Sequence, residues 1–155
     1  MPRFREYPEA GSVLPTDAFV LDREGVGTMF VEGLGLGERC ITYVIDGGGS
    51  VLSTGIVGDL YVPFACVVSG ATLLAAEAGS AVVDIWAAPF ASYPPTIANS
   101  IVASAPPTLT ASDHAQDTTL TGWTTAIAAN STLRFNVNSV ATITRLTVAL
   151  TVTAL

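Results

Sequence analysis

The last fifteen residues, ATITRLTVALTVTAL, constrain the fold more than any other stretch. Leu146, Val148, Leu150 and Val152 fall on one face, and Thr147, Ala149, Thr151 and Thr153 on the other. A period of two is that of a β-strand; a helix would scatter these residues around its circumference. The branched Val and Thr side chains also suit a pleated surface. One face reads as packed. The other is small and uncharged, and suits either solvent or a neighbouring subunit.

The texture is the same from Cys40 onward, in short β-rich runs separated by turn clusters. CITYVID ends in the turn GGGS. GDLYVPF places Leu60, Val62 and Phe64 together, and CVVSGATLLAA is broken at Gly70, where a bulge is expected. SAVVDIWAAPF sets Val83, Ile85 and Ala87 against Val82, Asp84 and Trp86. STLRFNVNS turns Leu133, Phe135 and Val137 inward and Arg134, Asn136 and Asn138 outward. ASYPPTIANSIVASAPPT, with two Pro-Pro pairs, reads as a long loop carrying one helical turn. DHAQDTTLTGWTT reads as a polar strand and turn. About eight strands follow residue 40, which fits two stacked antiparallel sheets of the jelly-roll kind. No amphipathic helix and no repeat of fixed period is visible.

The start of the chain reads differently. Residues 1–13 suit an extended arm, interrupted by Pro2, Pro8 and Gly11. AFVLD and TMFVE are strand-length, and REGVG between them supplies Gly25 and Gly27 for a tight turn. Phe19 and Leu21 share one face of this hairpin. So small a hairpin is marginal alone and must lean on something else. GLGLGE then reads as a tether; its spacing is not that of a phosphate-binding GxGxxG loop. The expected organisation is an all-β antiparallel β-sandwich (jelly roll) over residues 38–155, preceded over residues 1–37 by an arm, a short β-hairpin and the tether.

Charge narrows the partners. Only 12% of the 155 residues are charged, against about 25% in ordinary domains. All six basic residues are arginines, and thirteen carboxylates leave a net charge of -7, which disfavours nucleic acid. Arg3, Arg5, Arg23 and Arg39 crowd the first quarter. Beyond Cys40 only Arg134 and Arg145 stand against six acids. A body so poor in charge suits burial against copies of itself, although a surface of Thr, Ser, Asn and Ala stays soluble without charge. The uncharged run 62–76 is shorter than the ~20 residues of a spanning helix, so no membrane insertion is expected, and the leading residues lack the apolar stretch of a signal peptide.

Catalytic chemistry is hard to assemble. His114, the only histidine, lies beside Asp113, and no GxSxG nucleophile turn occurs. One histidine and two separated thiols do not suggest a metal site. Cys40 and Cys66 sit in apolar runs and are expected as buried free thiols, with pairing left open. Asp46, Asp59, Asp84 and Asp117 are too scattered to nominate a glycosidase pair. No catalytic, metal or cofactor-binding residue is therefore expected. Trp86, Phe90, Tyr93 and Trp123 lie near loops and strand ends, where they either pack the ends of the sandwich or stack on sugar rings. Of these Trp86, Tyr93 and Trp123 are the candidate glycan contacts.

YPEAGSVLPTDAFVLDREGVGTMFVEG resembles the short N-terminal modules of bacteriophage fibre and baseplate-associated proteins. The resemblance is carried by Asp17 to Asp22, Gly25, Gly27 and Thr28 to Val31. The pieces ITYVIDGGGSVLSTGIVGDLYVPF, SAVVDIW, TLTGW and LRFNV resemble a β-sandwich domain of phage virion proteins. The resemblance implies a structural virion protein of the short fibre or spike type, made in the bacterial host cytoplasm and assembled as a homotrimer on tail or head. It would dock to other virion proteins through Phe19, Leu21, Gly25, Gly27 and Phe30, and would display a host-surface polysaccharide-binding domain. The alternatives are a capsid decoration protein that stabilises the shell and, from another class, a carbohydrate-active enzyme.

Overall fold

The structure is a computed structural model that describes residues 37–155. The arm, hairpin and tether, with the candidate docking residues Phe19, Leu21, Gly25, Gly27 and Phe30, lie outside the described residues. Seven strands run through the rest: β1 (Glu38–Asp46), β2 (Gly55–Val62), β3 (Cys66–Pro89), β4 (Thr108–Asp117), β5 (Ala126–Ile127), β6 (Ser131–Ala141) and β7 (Arg145–Ala154). All pair antiparallel, in the order β1-β7-β3-β6-β2, with β4 and β5 against β3. The helical content of the described residues is two 3-10 turns, Phe90–Ser92 and Ile97–Asn99.

Strand β3 organises the domain. Its 24 residues would extend roughly 80 Å if straight, far beyond a domain of this size, so the strand has to bend. Its first half pairs with β7, from Cys66↔Ala154 to Ala75↔Leu146. Its second half pairs with β6, from Ser80↔Ala141 to Pro89↔Ser131. Strands β6 and β7 therefore follow one line along β3. On their far side β2 lies along β6 and β1 along β7. The result is a long antiparallel sheet folded across its middle, with the crease at residues 46–55, 76–79, 109–112 and 141–145.

The crease has its own chemistry. Ladder register breaks there, between Leu74 and Gly79, Gly79 and Ala81, and Val82 and Val83. Gly79 sits where strands cross tightly: a Cβ would lie 2.5 Å from Thr142 Oγ1 and 2.6 Å from the Ala141 carbonyl oxygen. The Glu77 carboxylate accepts the Thr144 backbone N–H and, at 3.1 Å, its hydroxyl. The Thr142 hydroxyl donates to the Ala78 carbonyl at 3.2 Å. Glycine gives the bend room, and Glu77 satisfies backbone that the broken ladder leaves unpaired.

Folding the sheet brings its two inner faces together. Ile41, Ile45, Leu73, Leu146, Val148, Leu150 and Val152 from one half join Val62, Val83, Ile85, Leu133, Phe135 and Val137 from the other in one core. Each set is the apolar half of a period-two alternation, as in any two-layer β-protein. The architecture is all-β, an antiparallel sandwich of jelly-roll type. The runs at 66–76 and 80–90, read separately from the sequence, are one strand, because Gly70 only shifts the register and Gly79 bends the strand without ending it.

Both cysteines are free thiols. Cys66 is buried, and burial pushes its thiol pKa up. Cys40 departs from its expected burial. It shares the outward parity of Thr42 on β1 and is exposed.

Candidate functional site

The half-sheet of β2, β6 and the second half of β3 has an outer face fixed by register. Across it run the rows Tyr61–Thr132–Ala88, Asp59–Arg134–Trp86 and Ile56–Asn136–Asp84. The connection from β3 to β4 lies against the edge of this half. The Ile101 N–H donates to the Ile85 carbonyl at 2.9 Å, Val83 N–H to Pro107 at 3.0 Å, and the Ser100 hydroxyl to the buried Asp84 carboxylate at 2.7 Å. Asp84 and Trp86 are thereby covered, while Tyr61 and Asp59 stay at the margin of the patch.

Three aromatic rings gather there, each more than half exposed: Phe90 (57%), Tyr93 (53%) and Tyr61 (51%). Tyr61 and Phe90 meet edge-to-face with centroids 6.0 Å apart. The Tyr61 hydroxyl donates to Asn130 Oδ1 at 2.8 Å, and the Phe90 N–H donates to the Asn130 carbonyl at 2.9 Å. The Tyr93 hydroxyl donates to Asp59 Oδ2 at 2.8 Å. The Arg134 guanidinium lies 5.5 Å from the centre of the Tyr93 ring. The aromatic geometry is thus set by polar groups that reach back to the strands.

Asp59 and Arg134 are cross-strand partners and form a two-pronged ion pair, Nε–Oδ1 2.6 Å and Nη2–Oδ2 2.8 Å. This planar match is what a guanidinium and a carboxylate do best. Arg134 Nη1 also donates to the Pro95 carbonyl at 3.3 Å. The hydrogen bond from Arg134 holds the Asp59 carboxyl below its ordinary pKa, helped by Tyr93 and opposed by partial burial. The same bond raises Arg134. The pair stays ionised and cancels its own charge, so the site offers fixed rings and hydrogen-bonding groups without net charge.

The expected glycan contacts separate here. Tyr93 is in the patch. Trp86 and Trp123 are buried, which leaves neither indole face open to stack on a sugar. Trp123 joins the core and donates from Nε1 to the Ala105 carbonyl at 2.8 Å. Trp86 lies on the outer side of β3 beneath the connecting segment, and its Nε1 finds no acceptor among the described residues. Sequence reading missed Asp59, Tyr61, Asn130 and Arg134 as members of a site. Only the outward parity of Asp59, Tyr61 and Arg134 was visible, and Asn130 lies just before β6; their meeting depends on long-range register. His114 is exposed and lies 2.5 Å from Asp113, whose pKa its hydrogen bond lowers. Among the described residues no group of His, Cys, Asp and Glu is placed to hold a metal ion. No helix among them is long and apolar enough to cross a membrane.

The other half-sheet has a very different outer face. Between its end rows, Asp46–Arg145 and Glu38–Thr153, its middle rows are Val44–Thr147–Leu74–His114, Thr42–Ala149–Thr72–Gln116 and Cys40–Thr151–Gly70. Apart from His114 at one corner, no residue in the middle rows is ionisable below the thiol range. Val44 and Leu74 are 51% and 49% exposed.

No family model matches the chain, and no curated protein is similar to it. A solved structure of infectious bursal disease virus Gx strain aligns at 11% identity and a TM-score of 0.21, over 91% of this chain and 46% of that one. This chain therefore spans about half the length of that protein, and a likeness so slight carries no argument about fold or role.

Proposed function

We propose that the chain is a structural subunit of a phage or phage-like virion, a short fibre or spike built from three copies. Its sandwich packs against its sisters and presents a recognition patch to polysaccharide on the host surface. The leading residues 1–37 dock it to the particle.

The observation that supports this most is the middle of the face of β1, β7, β3 and β4, which lacks carboxylates; Glu38, Asp46 and Arg145 stand only at its ends. A chain of net charge -7 repels its own copies unless they meet where carboxylates are missing. The middle rows of that face are led by Thr42, Thr72, Thr147 and Thr151 and carry two half-exposed aliphatic side chains, Val44 and Leu74. Closed symmetry would bury it in every subunit. The aromatic patch lies on the other half-sheet and would remain outward. Several weak patches on one assembly would then act together at high effective concentration.

Native mass measurement tests the reading. A species at three times the 15.9 kDa chain mass is expected, and a monomer at micromolar concentration overturns it. Deleting residues 1–37 should leave the oligomer intact and abolish incorporation into particles. Imaging the labelled chain on the particle separates a fibre from a shell-stabilising protein.

A further inference from the structure

The patch around Tyr93 is specific enough to name the chemistry of its ligand. We propose that Tyr61, Phe90 and Tyr93, with Asp59, Asn130 and Arg134, form a binding site for a neutral hexopyranose unit, and that uronic or sialic acid residues are excluded. The inference deepens the proposed role as a surface-display subunit and rests on it for biological context, but its geometry stands alone.

The rings come first. A pyranose ring offers an apolar face of C–H groups, and flat exposed aromatics are its natural partner because burying both faces removes apolar surface from water. Phe90 and Tyr61 are held at a fixed angle, and Tyr93 is tied by its hydroxyl to Asp59 and lies against Arg134. Tyr61 and Tyr93 are anchored by their hydroxyls, so binding costs them less side-chain entropy.

The polar groups offer both donors and acceptors to sugar hydroxyls. Asn130 spends Oδ1 on Tyr61, which leaves its amide N–H groups as donors. The Tyr61 hydroxyl oxygen remains an acceptor. Asp59 receives Arg134 Nε, Arg134 Nη2 and the Tyr93 hydroxyl, and a carboxylate has room for about one more donor.

Charge decides the class of sugar. Arg134 is the only lysine or arginine between Arg39 and Arg145. Its guanidinium is committed to Asp59 and to the Pro95 carbonyl. An acidic sugar would find no unpaired cation here and would approach a chain of net charge -7. A neutral sugar meets no such cost.

The test is saturation-transfer NMR on the full chain with cellotriose, maltotriose, mannotriose and galactotriose as neutral probes and trigalacturonate as the acidic one. At least one neutral probe should bind, with a dissociation constant on the order of millimolar. Phe90→Ala and Tyr93→Ala should each weaken it about tenfold or more, Phe90→Ala with melting temperature unchanged and Tyr93→Ala with the fold retained at a slightly lower one. Asp59→Asn releases the Arg134 charge and should bring trigalacturonate binding up. The proposal is overturned if no neutral probe binds, if the unmodified chain prefers trigalacturonate, or if neutral binding survives both alanine substitutions. A monomer that binds a neutral probe keeps this inference and sinks the trimeric fibre; a trimer that binds none does the reverse.

Discussion

Tyr43 of β1 lies flat against Phe135 of β6, with ring centroids 4.5 Å apart and planes 5° from parallel, although the two strands share no ladder. The contact crosses the folded sheet from one layer to the other. The Tyr43 hydroxyl continues past the ring to the Val57 carbonyl at 2.8 Å, so β1 is tied to β2 where each strand is otherwise an edge. Gly58 makes the approach possible. A Cβ there would lie 1.9 Å from the Tyr43 hydroxyl oxygen, and its φ of +151° is costly for any other residue. Gly58→Ala should therefore destabilise the domain by about 1–3 kcal/mol, and Tyr43→Phe by about 1 kcal/mol. Combined, they should cost less than their sum, because removing the hydroxyl relieves part of the clash. Urea denaturation of the four chains measures this, and strict additivity would contradict the contact.

Phe135 is the centre of the same contact and is fully buried. Phe135→Asp would place an unpaired carboxyl between the two layers, at a cost of several kcal/mol added to the lost packing, against a typical domain stability of about 5–15 kcal/mol. Loss of the folded state is expected, read by circular dichroism and expression in soluble form. Phe135→Leu, which keeps the site apolar and smaller, should fold with a lowered melting temperature. Near-normal melting of the Asp variant would contradict an inward Phe135.

Glu77 should matter more than its surroundings suggest. It is one of two acids in β3, with Asp84, and its carboxylate holds Thr144 by both backbone and side chain across the crease. Glu77→Ala leaves the Thr144 amide without its acceptor and should cost about 1–3 kcal/mol. Hydrogen exchange localises the effect: protection of Thr144 should fall while that of β1 and the start of β7 is retained. Unchanged exchange at Thr144 would show that the carboxylate is dispensable.

Much of this architecture was legible one strand at a time. The alternation in β6 and β7 named Leu133, Phe135, Val137, Leu146, Val148, Leu150 and Val152 as inward, and these residues form the core. That reading works because parity along a strand is a local property. The crease was not legible, because Gly79 marks a bend only when Thr142 is packed against it. The recognition patch was hidden for the same reason. Asp59, Tyr93 and Arg134 are separated by 34 and 41 residues along the chain, and nothing in their neighbourhoods announces that they meet. Trp86 and Trp123 drew attention as aromatics near loops, but the segment between β3 and β4 doubles back, covering one and packing beside the other.

Acid should weaken the domain in part through Asp59. Its pKa is lowered in the fold, chiefly by the Arg134 hydrogen bond. A carboxyl with a depressed folded pKa contributes stability that is fully present above its unfolded value and is lost as pH falls through the folded one. Stability should thus decline below the ordinary carboxylate range. Asp113 and Asp117 are lowered too, by His114 and Thr119, so the decline has several sources. Asp59→Asn should flatten its share, and Tyr93→Phe should move the Asp59 midpoint upward by removing a hydrogen bond. A carbon-detected titration of the Asp59 carboxyl measures the second effect, and an ordinary midpoint in the unmodified chain would refute the first.

The charge-poor middle of the β1, β7, β3 and β4 face makes the final prediction. Val44 and Leu74 flank Thr147 in one row of the outer sheet, and both are about half exposed. If sister chains bury this row, Val44→Arg and Leu74→Arg place uncompensated charges where the contact is driest, and symmetry repeats the cost in every subunit. Either substitution should convert the assembly to monomers while leaving the unfolding of the monomer within about 0.5 kcal/mol of the parent, as expected for a surface change. Ile97→Arg, on an exposed residue of the β3–β4 connection, should leave the mass unchanged. Native mass measurement of the three variants decides: an oligomer that persists with Val44→Arg and Leu74→Arg means that solvent, not a second copy, covers this face.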